Sequence, residues 1–259
     1  MPTSSQPVNS SGPKNRRPLI ITAAVIGLIV VIGVAALVWY MNQPVPEEVS
    51  IESAVEDAAT AATAEPTETS TPQEGLDGTW SVDTSIGDFS FEDATSSFVG
   101  FRIEEELATV GATTAVGRTP VVAGSFVLNG TTISEATIEA DMTGIVTNAS
   151  RRDQAVQRAL DTGAFPKATF TLTDPIDLGS IPGDEDPVSA TAIGDLEIKG
   201  VVQPIEIPLE SQLVDDLIVI VGAVEIVFEE WGIAVPTAPI VASVEDHGIL
   251  EIQLFFTRG

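Results

Sequence analysis

LEIQLFF, residues Leu250 to Phe256, places Leu250, Ile252, Leu254 and Phe256 in alternation with Glu251 and Gln253. A side-chain period of two belongs to a strand, because successive Cβ atoms leave opposite sides of the pleat. The spacing predicts a half-buried strand with one apolar and one polar face. The same period recurs at Ile138, Ala140 and Met142 against Thr137, Glu139, Asp141 and Thr143, and at Ile205, Ile207 and Leu209 against Glu206 and Glu210. LIVIVGAVEIVF, Leu217 to Phe228, is apolar on both faces for most of its length, as expected of a strand covered on each side. Asn129-Gly130 between two Thr/Val/Ile-rich runs signals a hairpin, since both residues tolerate positive φ.

One segment breaks this pattern. SRRDQAVQRALDTG offers Ser150 as N-cap with Asp153 three residues on, an apolar face of Ala155, Val156, Ala159 and Leu160, and Gly163 as a stop. The reading is a helix of about three turns between two strands, with that face turned inward. Many antiparallel strands with one inserted helix make residues 77–259 an all-β domain, a closed or strongly curled barrel.

Upstream of the barrel the composition changes twice. Leu19 to Tyr40 is apolar apart from Thr22 and carries no charge, and about 22 residues of helix reach roughly 33 Å, enough to span a bilayer core. The predicted membrane helix is Leu19–Met41. Lys14, Arg16 and Arg17 precede it and Glu47 and Glu48 follow, which puts residues 1–18 in the cytoplasm and the C-terminal domain outside. The rival reading, a cleaved signal peptide, fits the basic start, but the apolar run is too long and lacks a clear cleavage site. Residues 42–76, rich in Pro, Glu, Thr, Ser and Ala, are predicted to be an extended acidic tether with a reach of about 30–36 Å. Its Ala-rich part, Ser53 to Ala64, shows no stripe of large apolar residues that would pack a helix.

Charge and composition exclude several functions. The chain has 38 acidic and 11 basic residues, net −27, and the part after the span holds 8 bases against 38 acids. Such a field repels phosphate backbones, so nucleic acid is not an expected partner. Without cysteine there is no disulfide, thiol nucleophile or thiolate metal site. His247, the one histidine, lies in a Glu-Asp-His-Gly turn with no nucleophile in sequence reach. The acidic runs at Glu104, Asp184, Asp215 and Glu229 lack EF-hand spacing and read as solvated surface. No catalytic residue, metal site or cofactor is expected. Arg102 and Arg118, flanked by apolar residues, are the charges expected to be partly buried, as a structural ion pair with Glu104 or Glu106.

Four pieces in order then resemble one family. They are Trp80-Ser81-Val82-Asp83; Arg152-Asp153 with Leu160-Asp161 and Phe165-Pro166-Lys167-Ala168-Thr169-Phe170; Gly194-Asp195-Leu196, Ile198, Gly200-Val201 and Pro204-Ile205; and Glu230-Trp231-Gly232-Ile233 with Pro236. Together they are similar to the YceI-like, lipid/polyisoprenoid-binding family over nearly all of Gly78–Arg258, in an actinobacterial-looking branch. The chain departs from the family pattern at Lys199, where a histidine is common, and at Val227 and Phe228, which replace polar residues. The resemblance implies a lipocalin-like antiparallel barrel of about eight strands around an elongated apolar cavity. The expected function is non-catalytic binding of a long apolar ligand, an isoprenoid or other lipid, by a membrane-tethered extracytoplasmic protein. Alternation selects Phe101, Phe126, Ile138, Met142, Phe170, Leu196, Ile207 and Leu254 as inward residues able to line that cavity. The alternative is a surface interaction module, a solid-packed barrel with an acidic face for a partner.

Overall fold

The computed structural model describes residues 45–64, 75–108, 111–180, 187–235 and 241–259. The expected cytoplasmic tail and membrane span, the stretch 65–74, the loop at Asp184 and Pro236 lie outside the described residues. Among the described residues, no helix is long and apolar enough to cross a membrane.

The chain runs through α1 (Ile51–Ala64), β1 (Gly78–Val82), β2 (Phe98–Leu107), β3 (Gly111–Thr119), β4 (Val122–Asn129), β5 (Thr132–Asp141) and β6 (Val146–Thr147). It continues through α2 (Ser150–Leu160), β7 (Lys167–Leu172), β8 (Ile176–Asp177), β9 (Val188–Ile198), β10 (Val201–Val214), β11 (Leu217–Val227), β12 (Val241–Val244) and β13 (His247–Arg258). Two 3-10 turns, Met142–Gly144 and Phe228–Trp231, lie between strands. Antiparallel pairing joins β1, β4, β5, β7, β9, β10, β11 and β13, and β13 pairs back to β1, closing an eight-strand barrel.

β13 is the branch point of the sheet. One edge pairs with β11 from His247 to Phe256, while the other pairs first with β2 at Ile249–Gln253 and then with β1 at Phe256–Arg258. The β2–β3–β6 ladder therefore continues from the edge that β1 closes further along. The expected hairpin joins β4 to β5, with Asn129 opposite Thr132 and Gly130 alone taking positive φ, 60°.

Inside the barrel the alternation holds. Leu254 and Phe256 are buried, and Leu250 and Ile252 pack against the same core as Trp80, Phe126, Ile207 and Ile220. The polar face of β13 is not solvated, however: Glu251 is 1% exposed, Gln253 3% and Phe255 0%. What covers it is the segment expected to be a tether. Residues Val45–Ser50 and α1 lie against the outer wall, with Ile51, Ala54 and Ala58 buried on Leu217, Val219, Val221 and Phe255. This corrects the tether reading for residues 45–61 of the stretch 42–76. The apolar positions Ile51, Ala54, Val55 and Ala58 follow the i, i+3, i+4, i+7 spacing of a helix face, and small alanines let the helix sit close to the wall. Ser50 caps the helix, its hydroxyl accepting from the Ser53 N–H at 3.2 Å. The double-sided apolar character of Leu217–Phe228 is thereby explained, since α1 supplies the second cover.

The second helix also departs from expectation. Ala149, not Ser150, is its N-cap, and Asp161 at φ 50°, not Gly163, ends it. Asp153 instead accepts from the Thr147 N–H and hydroxyl, both at 2.7 Å, and Arg152 pairs with Glu105 of β2. Ala155, Val156, Ala159 and Leu160 are half-buried rather than core residues. Among the described residues the barrel thus carries two α-helices, one of them upstream of the first strand.

Candidate functional site

The barrel interior holds a cavity of about 120 Å³ lined throughout by apolar side chains from β2, β4, β5, β7, β9, β10, β11 and β13, together with Met142 and with Ile176 of β8. Of the eight residues chosen by alternation, Phe126, Ile138, Met142, Phe170, Leu196, Ile207 and Leu254 line it. Phe101 does not. Its register partner Leu250 shows that it shares the inner face, but its ring lies over Gly117, where a Cβ would stand 2.4 Å from it. Sequence alternation also missed lining residues with small side chains, Ala136, Ala168 and Ala192, because alanine carries little pattern signal.

Glycine shapes this space locally. A Cβ on Gly194 would lie 2.6 Å from the Phe170 ring, so the absence of one lets that ring sit flat against β9. On Gly222 a Cβ would meet Leu209 at 2.6 Å. Residue size, as well as face, therefore sets the shape of the chamber.

The chamber is small for a long chain. Pockets for drug-sized ligands hold about 300–1,000 Å³, whereas an engineered apolar cavity of about 150 Å³ stays dry and admits benzene. Its lining offers no charge or hydrogen-bond partner, so what it can do chemically is exclude water from hydrocarbon.

The charged side chains gather outside the wall. Arg102 Nε donates to Glu251 Oε1 at 2.5 Å and its Nη2 to the Pro46 carbonyl at 2.5 Å. Arg118 Nη2 donates to the Glu47 carbonyl at 2.7 Å and stands 3.8 Å from Glu251 Oε2. The partner of both arginines is Glu251, not Glu104 or Glu106. Burial pulls the Arg118 guanidinium below its ordinary value, against the opposing effect of Glu251. His247 faces Glu245 at 2.8 Å and Asp246 at 3.1 Å, and its hydrogen bond to Asp246 is the main cause of its raised pKa. These groups hold carbonyls and one another, and none reaches the chamber. Among the described residues, no group of three or more His, Asp or Glu could hold a metal ion.

A family profile for the YceI-like domain matches residues 92–256, well over half the chain. The chain belongs to the YceI-like family. The match begins after β1, so Trp80–Asp83 and the whole of α1 lie upstream of it. Among solved structures, the chain is similar to a polyisoprenoid binding domain from Saccharophagus degradans implicated in plant cell wall breakdown, at 15% identity and TM-score 0.51, covering 71% of this chain and 99% of that one. BcnA of Burkholderia cenocepacia is 16% identical with TM-score 0.48, covering 67% of this chain and 98% of its own. The YceI protein of Campylobacter jejuni is 17% identical with TM-score 0.46, covering 55% and 84%. No curated protein sequence matches the chain. Within this YceI-like domain, the Arg152-Asp153 pair has a structural role, tying α2 to β2 and to Thr147.

Proposed function

We propose that this YceI-like domain is a non-catalytic carrier of an apolar guest, of isoprenoid type and small enough for the chamber, held inside the barrel. The observation that carries the reading is the wholly apolar chamber at the centre of the sheet. Each CH₂ that leaves water for such a space gains about 0.8 kcal/mol, so binding needs no charged anchor. The fold shared with a Saccharophagus degradans domain described as polyisoprenoid binding supports an isoprenoid among apolar guests. Filling the space tests the reading: Ala136→Phe and Ala192→Phe each place a ring where the guest would lie. Both variants should keep the fold and lose uptake of benzene, the probe guest, in native mass spectrometry. Unchanged uptake contradicts a guest in the barrel.

The domain is further proposed to work outside the cell, held by the membrane span Leu19–Met41 with residues 1–18 in the cytoplasm. The charge asymmetry around that apolar run supports this orientation. Protease added to intact cells should release the barrel. Protection until the membrane is permeabilised would reverse the orientation.

The second reading, an interaction module, draws on the modest chamber volume and on the 38 acids against 8 bases that follow the span. It predicts that the Ala136→Phe variant stays fully functional in the host.

A further inference from the structure

The two ends of the chamber are closed by different means. At the end where β13 finishes, Phe126 stands 6.4 Å from Trp80 in a stacked pair and 4.8 Å from Phe256 edge-on. These three rings belong to neighbouring strands of the ladder, with Trp80 opposite Phe126 and Arg258.

At the opposite end, where β11 finishes and β13 begins, the closing rings come from a turn. Phe228 and Trp231 are both buried, and they pack with Ala168, Leu196 and Ile198, which themselves line the chamber. They fill the space into which the chamber would otherwise continue. The turn is pinned by backbone and side-chain bonds alike: the Phe228 N–H donates to the Asp246 carbonyl at 2.9 Å, and the Gly232 and Ile233 N–H groups donate to the Glu229 and Phe228 carbonyls, both at 3.0 Å. Lys199 Nζ donates to the Gly232 carbonyl at 2.8 Å, Gln203 Nε2 to the Glu230 carbonyl at 3.0 Å, and Trp231 Nε1 to the Leu196 carbonyl at 3.3 Å. Lys199 and Phe228 therefore act in one device.

We propose that the turn Phe228–Trp231 is a plug that sets the length of the guest. With the plug in place, the chamber admits a hydrocarbon about the size of benzene or one isoprene unit and excludes longer chains. The volume supports this directly: about 120 Å³ is close to the engineered cavity of about 150 Å³ that takes benzene. Trp231 is the larger stop and Phe228 the second. Truncating either joins its space to the chamber, so the preferred guest lengthens. The inference rests on the carrier reading above and adds the length limit and the residues that impose it.

The test is native mass spectrometry of the full chain, incubated in turn with benzene, the ten-carbon hydrocarbon myrcene and the thirty-carbon squalene. Wild type should retain benzene about tenfold or more better than myrcene, since one methylene too many in a tight apolar pocket already costs that much. Trp231→Ala and Phe228→Ala should invert that preference toward myrcene. If these truncations do not fold, Phe228→Leu makes the same comparison with a smaller opening. Squalene or myrcene retained by wild type as well as benzene, or one profile shared by wild type and variants, overturns the plug alone. Retention of no guest by any form overturns the carrier reading with it.

Discussion

On β13, Leu250, Ile252, Leu254 and Phe256 leave one side of the backbone while Glu251, Gln253 and Phe255 leave the other. The outer set and Leu254 and Phe256 are buried, Leu250 and Ile252 half-buried, yet the two faces solve different problems. The inner face meets apolar side chains from the rest of the ring and leaves a space between them. The outer face carries a carboxylate and an amide, and each needs a partner. Glu251 receives Arg102, and Gln253 donates to the Ala94 and Ser96 carbonyls at 3.2 Å. Residues Val45–Ser50 complete the cover by offering backbone carbonyls to the spare guanidinium protons. The inner face can thus tolerate a void, because an unfilled apolar space costs only lost contacts. An orphaned charge on the outer face costs far more.

That contrast can be broken most forcefully on the outer face. Glu251→Ala leaves two buried guanidinium groups without their carboxylate and should cost about 3–5 kcal/mol, read from urea unfolding. Replacing Arg102, Arg118 and Glu251 together by Met and Leu should cost less than that single change, because no charge is then stranded. A triple variant weaker than Glu251→Ala would show that the ion cluster stabilises by its own attraction.

On the inner face Leu254→Ala should cost about 3 kcal/mol while enlarging the chamber, so stability falls as room for a guest grows. Unfolding curves for this variant with and without benzene should therefore differ more than those of wild type. Leu160→Asp on α2 should cost about 1–2 kcal/mol, since Leu160 is half-buried and its new carboxylate keeps access to water. A much larger loss would place that helix face deeper than it lies here.

The smallest effect sharpens the outer face by pH. Burial, then Asp93 and Glu56, raise the Asp57 carboxyl of α1 above its ordinary value, against a hydrogen bond from Gln253. The folded state therefore holds this proton more tightly than the unfolded one. Between the ordinary carboxylate value and the raised one, stability from this group falls as pH rises. Asp57→Asn should flatten that slope, seen as a urea midpoint changing less between about pH 4 and about pH 7. An unchanged slope would remove Asp57 from the account.

How much of this was legible in the sequence follows the same division. Alternation reports which face a residue takes, and seven of the eight chosen residues do line the chamber. It does not report what lies over the other face, so Glu251 and Gln253 read as solvated. Their cover comes from Val45–Ser50, the loop at Ala94–Ser96 and the adjoining helix, whose stripe rests on Ala54 and Ala58, hidden in an Ala/Thr-rich stretch. The ion pair was misassigned for a related reason. Glu104 and Glu106 are near Arg102 in sequence, whereas Glu251 is 149 residues away and arrives only through β2–β13 pairing. The size of the chamber was not legible either, because a filled and a hollow barrel share one alternating pattern. Volume is set in part by which inward positions are glycine or alanine, as at Gly194, Gly222, Ala136 and Ala192.

The central claim is that the barrel interior is a carrier's chamber rather than a gap in a solid core. Its most direct test is organic extraction and native mass spectrometry of the full chain purified from its own host. The account predicts one apolar molecule recovered with the protein at near one per chain, lost in Ala136→Phe. Repeated recovery of guest-free protein, with a melting temperature that added benzene does not raise, would contradict it.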